Sequence, residues 1–248
     1  MQSSPKKNKT IYLTTPIYYV NAKPHIGHAY TTILCDTFAR FYRFLGEKVY
    51  FLTGTDEHGE KIEKTAKEQG VPTIDYVDRV SARFRQLWND LDISYDDFIR
   101  TTEERHITVV QKVLMDLHAK GDIYLGKYKG WYCTPCETFW AEAQLDQGKC
   151  PDCKRPTQEL EEENYFFKMS QYQEWLVRYI AEHADFIVPQ SKEKEVLSFL
   201  KEPLEDLCIS RPRARMSWGI PLPFNQEHVL YVWFDALINY ISAIKYGV

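Results

Sequence analysis

The chain has 248 residues, of which 44% are hydrophobic and 27% charged, with only 11 Gly and 12 Pro. That length and apolar share exclude a disulfide-stapled miniprotein and a disordered or fibrous chain, and allow one large domain or two smaller ones. The formal net charge of −4 excludes a global basic field, so a nucleic-acid partner has to be held by a local patch or by sequence elsewhere.

Met1 to Lys9 carry Lys6, Lys7 and Lys9 without an apolar run, unlike a secretory signal. Apolar runs such as Val229 to Phe234 fall far short of the ~18–20 residues of a membrane span. An intracellular, cytoplasmic setting without a membrane partner is expected. Nothing in the sequence speaks to oligomeric state.

Ile11 to Thr15 predicts a strand that ends at Pro16 and enters a turn-rich loop through Pro24. From Ile26 the apolar residues Ile33, Phe41, Phe44 and Leu45 recur near helical spacing, with Gly46 as the stop. Lys48 to Thr53 predicts a second strand. Two helices are expected between Gly59 and Ile93, the second behind a Thr73 N-cap with Ile74, Val77, Val80, Phe84, Leu87 and Leu91 on its inner face. A strand over Asp97 to Arg100 and a helix carrying Ile107, Val110, Val113, Leu114 and Leu117 complete an alternation typical of an α/β, doubly wound parallel sheet.

Gly121 marks a break, after which glycines, cysteines and aromatics dominate to Tyr165. Ser170 and Gln173 form an expected capping box before Trp175, Leu176, Tyr179 and Ile180, and a further helix from Ser191 is closed by Pro203. The segment Ile209 to Ser217 leads to an expected strand over Val229 to Phe234 and an apolar, helix-like tail.

Two groups of residues carry chemistry. Cys133-x-x-Cys136 and Cys150-x-x-Cys153 each offer two thiolates, and four thiolates around a tetrahedral Zn²⁺ leave no open position, which predicts a structural ion organising a segment without its own core. The isolated Cys35 and Cys208 are expected to be small buried hydrophobes. Pro24-His25-Ile26-Gly27-His28 lies between the first strand and the first long helix, where a doubly wound fold places its ligand. Two imidazoles at a helix N-terminus can donate to phosphate oxygens, and Gly27 lets a nucleotide approach the backbone. Taken alone, this motif says nucleotide α-phosphate chemistry and no more, and it fits nucleotidyltransferases in general.

Thr14-Thr15-Pro16-Ile17-Tyr18-Tyr19-Val20-Asn21 leading into PHIGH, then Thr53-Gly54-Thr55-Asp56-Glu57-His58-Gly59, closely resemble the methionyl-tRNA synthetases, a class I aminoacyl-tRNA synthetase family. Gly130-Trp131-Tyr132-Cys133, Glu163-Asn164-Tyr165-Phe166-Phe167, Ile209-Ser210-Arg211 and Tyr231-Val232-Trp233-Phe234-Asp235-Ala236 continue the resemblance in order. It implies a Rossmann-like catalytic domain interrupted by a connective-peptide insertion with a zinc knuckle: residues 1–118 as the first half of the catalytic domain, 119–212 as the insertion and 213–248 as the start of the second half.

The resemblance further implies methionine–tRNA ligase activity, with L-methionine, ATP and tRNA(Met) as partners and Mg²⁺ accompanying ATP. It maps His25, Gly27 and His28 to ATP binding, with both histidines catalytic. Arg211 maps to a basic residue of the active site and Asp56 to the carboxylate that takes the substrate ammonium. Pro16, Ile17, Tyr19, Trp233, Ala236, Leu237 and Tyr240 map to the amino-acid pocket. Lys168-Met169-Ser170-Gln171-Tyr172 imitates the family's second signature, KMSKS, but lies in the insertion and is expected to be structural. The KMSKS loop and an anticodon domain are expected beyond Val248, so a catalytically inactive zinc-knuckle or amino-acid-binding fragment stands beside the ligase as an alternative.

Overall fold

The computed structural model describes residues 10–245 except 137 and 141. Its first part alternates β1 (Thr10–Thr14), β2 (Tyr18–Tyr19), α1 (Ile26–Phe44), β3 (Lys48–Asp56), α2 (Glu60–Glu68), α3 (Thr73–Asp90), β4 (Asp97–Arg100) and α4 (Glu104–Ala119). β3 is the central strand and every pairing is parallel. β1 and then β2 lie along one edge, from Thr10 against Lys48 to Tyr19 against Asp56, and β4 lies along the other, from Asp97 against Leu52 to Arg100 against Thr55. The register slips by one residue between Thr14 against Leu52 and Tyr18 against Thr55, so Thr15-Pro16-Ile17 forms a kink in the edge strand beside the carboxyl end of β3.

Helices cover both faces of this sheet, as a doubly wound fold requires. Tyr18 and Phe98 pack with Val77, Val80, Phe84 and Trp88 of α3, while Leu52 and Ile99 pack on the other face against Ala243. The predicted inner face of α3 is therefore largely correct, although Pro72 and not Thr73 is the N-cap, Thr73 being the first helical residue.

α1 is the helix expected from Ile26, and it packs through small residues. Its buried residues are Ala29, Thr32, Asp36 and Ala39, whereas Ile33, Phe41 and Phe44 are 44%, 54% and 87% exposed. Small side chains let the helix approach the sheet closely, and Asp36 is tolerated there because it accepts from Ser94 N and Oγ at 2.7 and 2.6 Å and from Arg40 Nε at 2.7 Å. The expected stop at Gly46 holds: with φ +80° it directs its N–H to Arg43 O at 2.9 Å.

The middle of the chain is antiparallel. β5 (Ile123–Cys133) runs in unbroken register against the next long strand, from Ile123 opposite Phe167 to Tyr132 opposite Gln158. That partner is β7 (Gln158–Phe167), with β6 (Thr138–Trp140) added outside β5. α5 (Gln173–Glu182) and α6 (Gln190–Phe199) follow, and β8 (Leu207–Cys208) pairs outside β7. The expected Ser170–Gln173 capping box does not form. Residues 169–172 are a 3-10 turn in which Ser170 Oγ donates to Asp206 Oδ1 at 2.5 Å. Gln173 instead donates to Leu200 O and Glu202 O and accepts from Leu204 N, all at 2.8 Å, clipping α5 to the end of α6.

β9 (Ser210–Pro212) and β10 (Pro221–Leu222) flank β11 (Asn225–Leu230) in a third sheet, and α7 (Val232–Ser242) closes the fold. The strand expected over Val229 to Phe234 thus ends at Leu230. Tyr231 turns the chain, donating its N–H to Ile209 O at 2.8 Å, and Val232 to Phe234 form the first turn of α7. A continuous apolar run satisfies a buried strand and a buried helix equally, and periodicity cannot separate them. Ile238 of α7 then packs with Val109, Val110 and Leu114 of α4 and with Ile209, Leu222 and Leu230.

Candidate active site and metal centre

The carboxyl end of β3 gathers the first group of expected residues. His25 is the N-cap of α1. Its Nδ1 accepts Gly27 N–H at 3.1 Å, and His28 Nδ1 accepts His25 N–H at 3.2 Å. The two rings stack with centroids 3.7 Å apart. A ring nitrogen that accepts carries no proton, so both neutral imidazoles carry it on Nε2, leaving two N–H donors at a helix N-terminus. His28 is held below the ordinary histidine range, first by burial and then by the neighbouring His25, which favours this neutral form. A side chain at Gly27 would stand 3.0 Å from the His25 ring.

Tyr18 and Tyr19 point to opposite sides of β2. Tyr18 is buried, its hydroxyl 2.7 Å from Thr32 Oγ1 and its ring 4.8 Å from that of His28. Tyr19 faces a cavity of about 340 Å³ lined also by Ile17, Asp56, Lys61, Pro135, Cys136, Val232 and Trp233. Four expected pocket residues, Ile17, Tyr19, Asp56 and Trp233, are thereby brought together from three separate elements. Pro16 is exposed beside them. Ala236 is partly buried and Leu237 is 63% exposed on α7, and Tyr240 packs against Leu52 and Ile99; none of these lines the cavity.

The end of β3, where Asp56 sits, is fixed from behind by the next residue. Glu57 is fully buried, and its carboxylate accepts from Thr55 Oγ1 at 2.7 Å, from Arg100 Nε and Nη2 at 2.7 and 2.9 Å and from Thr102 Oγ1 at 2.5 Å. Such complete satisfaction is what makes a buried charge tolerable. Asp56 itself is buried, with its carbonyl accepting Val20 N–H at 3.2 Å.

Arg211 is buried with its guanidinium 3.7 Å from the Tyr231 ring centroid and 5.7 Å from that of Tyr132. Its Nη1 donates to Ser210 O at 2.7 Å and to Cys208 Sγ at 3.0 Å. Cys208 is therefore a half-buried acceptor and not an inert hydrophobe, and Cys35 is likewise half-buried, 3.7 Å from Thr14 O.

Cys133, Cys136, Cys150 and Cys153 have their sulfurs within 4.8 Å of one another. Cys133 to Cys153 is 3.4 Å and Cys136 to Cys150 is 3.8 Å, against about 3.8 Å for the edge of a tetrahedron with ~2.3 Å metal–sulfur bonds. The four sulfurs can hold one metal ion. Burial pushes the Cys133 thiol up to about 11, while at Cys150 the backbone N–H groups of Cys153 and Asp152 outweigh burial and bring it down to about 7. Thiols bind a metal ion as thiolates, so loading this cluster releases protons.

Lys61, Pro135, Val232 and the cavity-lining role of Cys136 were not expected. Pro135 and Cys136 read in sequence only as parts of a metal loop, and nothing local tells that the loop folds over the end of β3.

The family model described as "tRNA synthetases class I (M)" matches residues 11–162 and 156–248. The methionine–tRNA ligase of Caldanaerobacter subterraneus subsp. tengcongensis is 54% identical over 238 residues, covering 96% of this chain and 37% of the relative. That of Clostridium tetani is 54% identical over 240 residues with the same coverages. The structure of Mycobacterium tuberculosis methionyl-tRNA synthetase in complex with methionyl-adenylate superimposes with a TM-score of 0.89 at 41% identity, covering 96% of this chain and 47% of that one. The chain thus spans 37% of the length of the two ligases and 47% of the solved chain.

Proposed function

This chain belongs to the class I tRNA synthetase (M) family, and from that premise we propose that it serves a methionine–tRNA ligase: ATP-dependent activation of L-methionine to methionyl-adenylate, then transfer to the 2′-hydroxyl of the terminal adenosine of tRNA(Met). The observation that carries the reading is the cavity at the end of β3, which combines one buried carboxylate, Asp56, with the apolar and aromatic walls of Ile17, Tyr19, Val232 and Trp233. A substrate with a cationic head and a soft apolar tail fits that combination. Asp56 takes the ammonium, and the aromatic walls hold the thioether, sulfur–aromatic contacts adding about 0.3–1.5 kcal/mol. Pro16, Ala236, Leu237 and Tyr240 complete the proposed pocket from its margins.

ATP is placed against the first turn of α1, with the Nε2–H groups of His25 and His28 donating to its phosphates and Gly27 allowing close approach. A methionine carboxylate oxygen attacks the α-phosphorus, the bond to pyrophosphate breaks, and pyrophosphate leaves with the Mg²⁺ that arrived with ATP. Charge grows on the α-phosphate oxygens in that step, and two preorganised donors stabilise it without reorganisation. Arg211 adds a fixed positive charge against Tyr231, at the start of the helix that carries Trp233.

The metal at Cys133, Cys136, Cys150 and Cys153 is assigned as a structural Zn²⁺, since four thiolates close its coordination. Residues 1–118, 119–212 and 213–248 are assigned as first catalytic half, insertion and start of the second half. A cytoplasmic setting is proposed with them; no helix among the described residues is long and apolar enough to cross a membrane.

The test is methionine-dependent ATP–pyrophosphate exchange, run on the 248-residue chain and on the chain fused to the remaining C-terminal part of the Caldanaerobacter relative. Exchange in the fusion that depends on methionine and disappears in His25→Ala/His28→Ala supports the reading. Exchange driven by another amino acid and not by methionine refutes it.

A further inference from the structure

Beside the cavity, a chain of buried polar groups ties α7 to the sheet. Asp235 is fully buried. Its Oδ2 accepts from His58 Nδ1 at 2.6 Å and its Oδ1 from His106 Nε2 at 2.7 Å. The second nitrogen of His106 meets Ser242 Oγ at 2.8 Å. His58 follows Asp56 by two residues in the loop after β3, and His106 is a fully buried residue of α4.

The placement matters more than the bonds themselves. Asp235 and Ser242 are seven residues apart in α7 and therefore share a face, so the single His106 ring spans two turns of the helix. Trp233, two residues from Asp235, projects to the opposite side, where it is 56% exposed and lines the cavity together with Asp56. Apolar packing against α4 would tolerate a small rotation or slide of α7, because dispersion contacts are not directional. A carboxylate accepting from two fixed imidazoles does not tolerate it, since either motion leaves a buried donor and acceptor unpaired.

We propose that Asp235 is a positioning residue for the amino-acid pocket: it locks the rotation of α7 against the loop after β3 through His58 and against α4 through His106, and so fixes Trp233 as a wall of the cavity. The inference rests on the reading of that cavity as the methionine site. Asp235 touches no substrate.

Asp235→Asn keeps the side-chain volume but can accept through one atom only, so one imidazole N–H then faces an amide NH₂. The test compares the 248-residue chain with D235N and with Ser242→Ala, using equilibrium dialysis of radiolabelled L-methionine, ATP binding under the same conditions and amide hydrogen exchange along α7. D235N is expected to weaken methionine binding by about tenfold or more, to leave ATP affinity unchanged, and to speed exchange in α7. S242A is expected to do the same more weakly. A merely structural role would lower both affinities together with the melting temperature.

Methionine binding unchanged in D235N, or methionine and ATP affinity lost equally, overturns the proposal. If the unsubstituted chain binds no methionine, the reading of the cavity fails and α7 exchange alone decides: faster exchange confined to α7 in D235N supports the lock, and unchanged exchange refutes it. Should D235N not fold, S242A, which removes a single hydroxyl, carries the same comparison.

Discussion

Asp56 ends a strand and faces a cavity whose other walls are mostly apolar, so a bound ammonium there is compensated by a charge already held in place. Asp56→Asn is expected to weaken methionine binding by about 3 kcal/mol, roughly a hundredfold, in equilibrium dialysis, with the far-UV spectrum unchanged. At His28 the expectation concerns pH. Its folded-state value lies below that of an exposed histidine, through burial and His25. The unfolded chain therefore takes up this proton first as pH falls. The stability contributed by neutral His28 is complete above about pH 6.5 and declines as pH drops toward the folded value. An NMR titration should place His28 below that reference, and a midpoint above it would contradict the capped geometry. Both histidines were legible from spacing, since the strand, loop and helix around them were readable too. Lys61, Val232 and Pro135 were not, because only the tertiary fold brings them to the cavity.

Among the elements, β3 and β4 approach so closely at Gly54 that a Cβ there would stand 2.0 Å from Ile99 O and 2.7 Å from the Ile99 side chain. Backbone cannot step aside inside a parallel sheet, so Gly54→Ala is expected to destabilise the chain by about 3 kcal/mol, read from urea unfolding. A loss under 1 kcal/mol, taken as the floor of about 1–3 kcal/mol for overpacking, would mean that the strands sit further apart. The cysteine loop makes a different prediction. Cys136 supplies a sulfur to the cluster and lines the cavity, so Cys133→Ser should abolish stoichiometric zinc and also raise the methionine dissociation constant. Unchanged zinc content would refute the coordination.

The spacing of the two CxxC pairs made the cluster legible, and alternation made the parallel sheet legible. The helix from Ile26 to the Gly46 stop was legible too, but not the face it buries: α1 packs through small residues, which carry no hydrophobic signal. One stretch was misread for a physical reason. The start of α7 is the continuous apolar run Val232-Trp233-Phe234, in which the exposed Trp233 is as apolar as the buried Val232, and such a run carries no period that would separate helix from strand.

Over the whole molecule, the same residues serve the fold and the site. Asp36, Glu57 and Asp235 are buried acids whose partners come from distant parts of the chain: Ser94 for the first, Arg100 for the second, and His58 and His106 for the third. The net charge of −4 says little about function because these carboxylates are turned inward, which composition cannot reveal. A kinked edge strand, the end of β3, the cysteine loop and the first turn of α7 converge on one cavity, which we propose takes an amino acid. The most direct test is calorimetric titration of L-methionine into the zinc-loaded chain, with D56N as control. One saturable site per chain is expected, selective for methionine over leucine and absent in D56N. Absence of saturable binding, or equal binding in D56N, would contradict it.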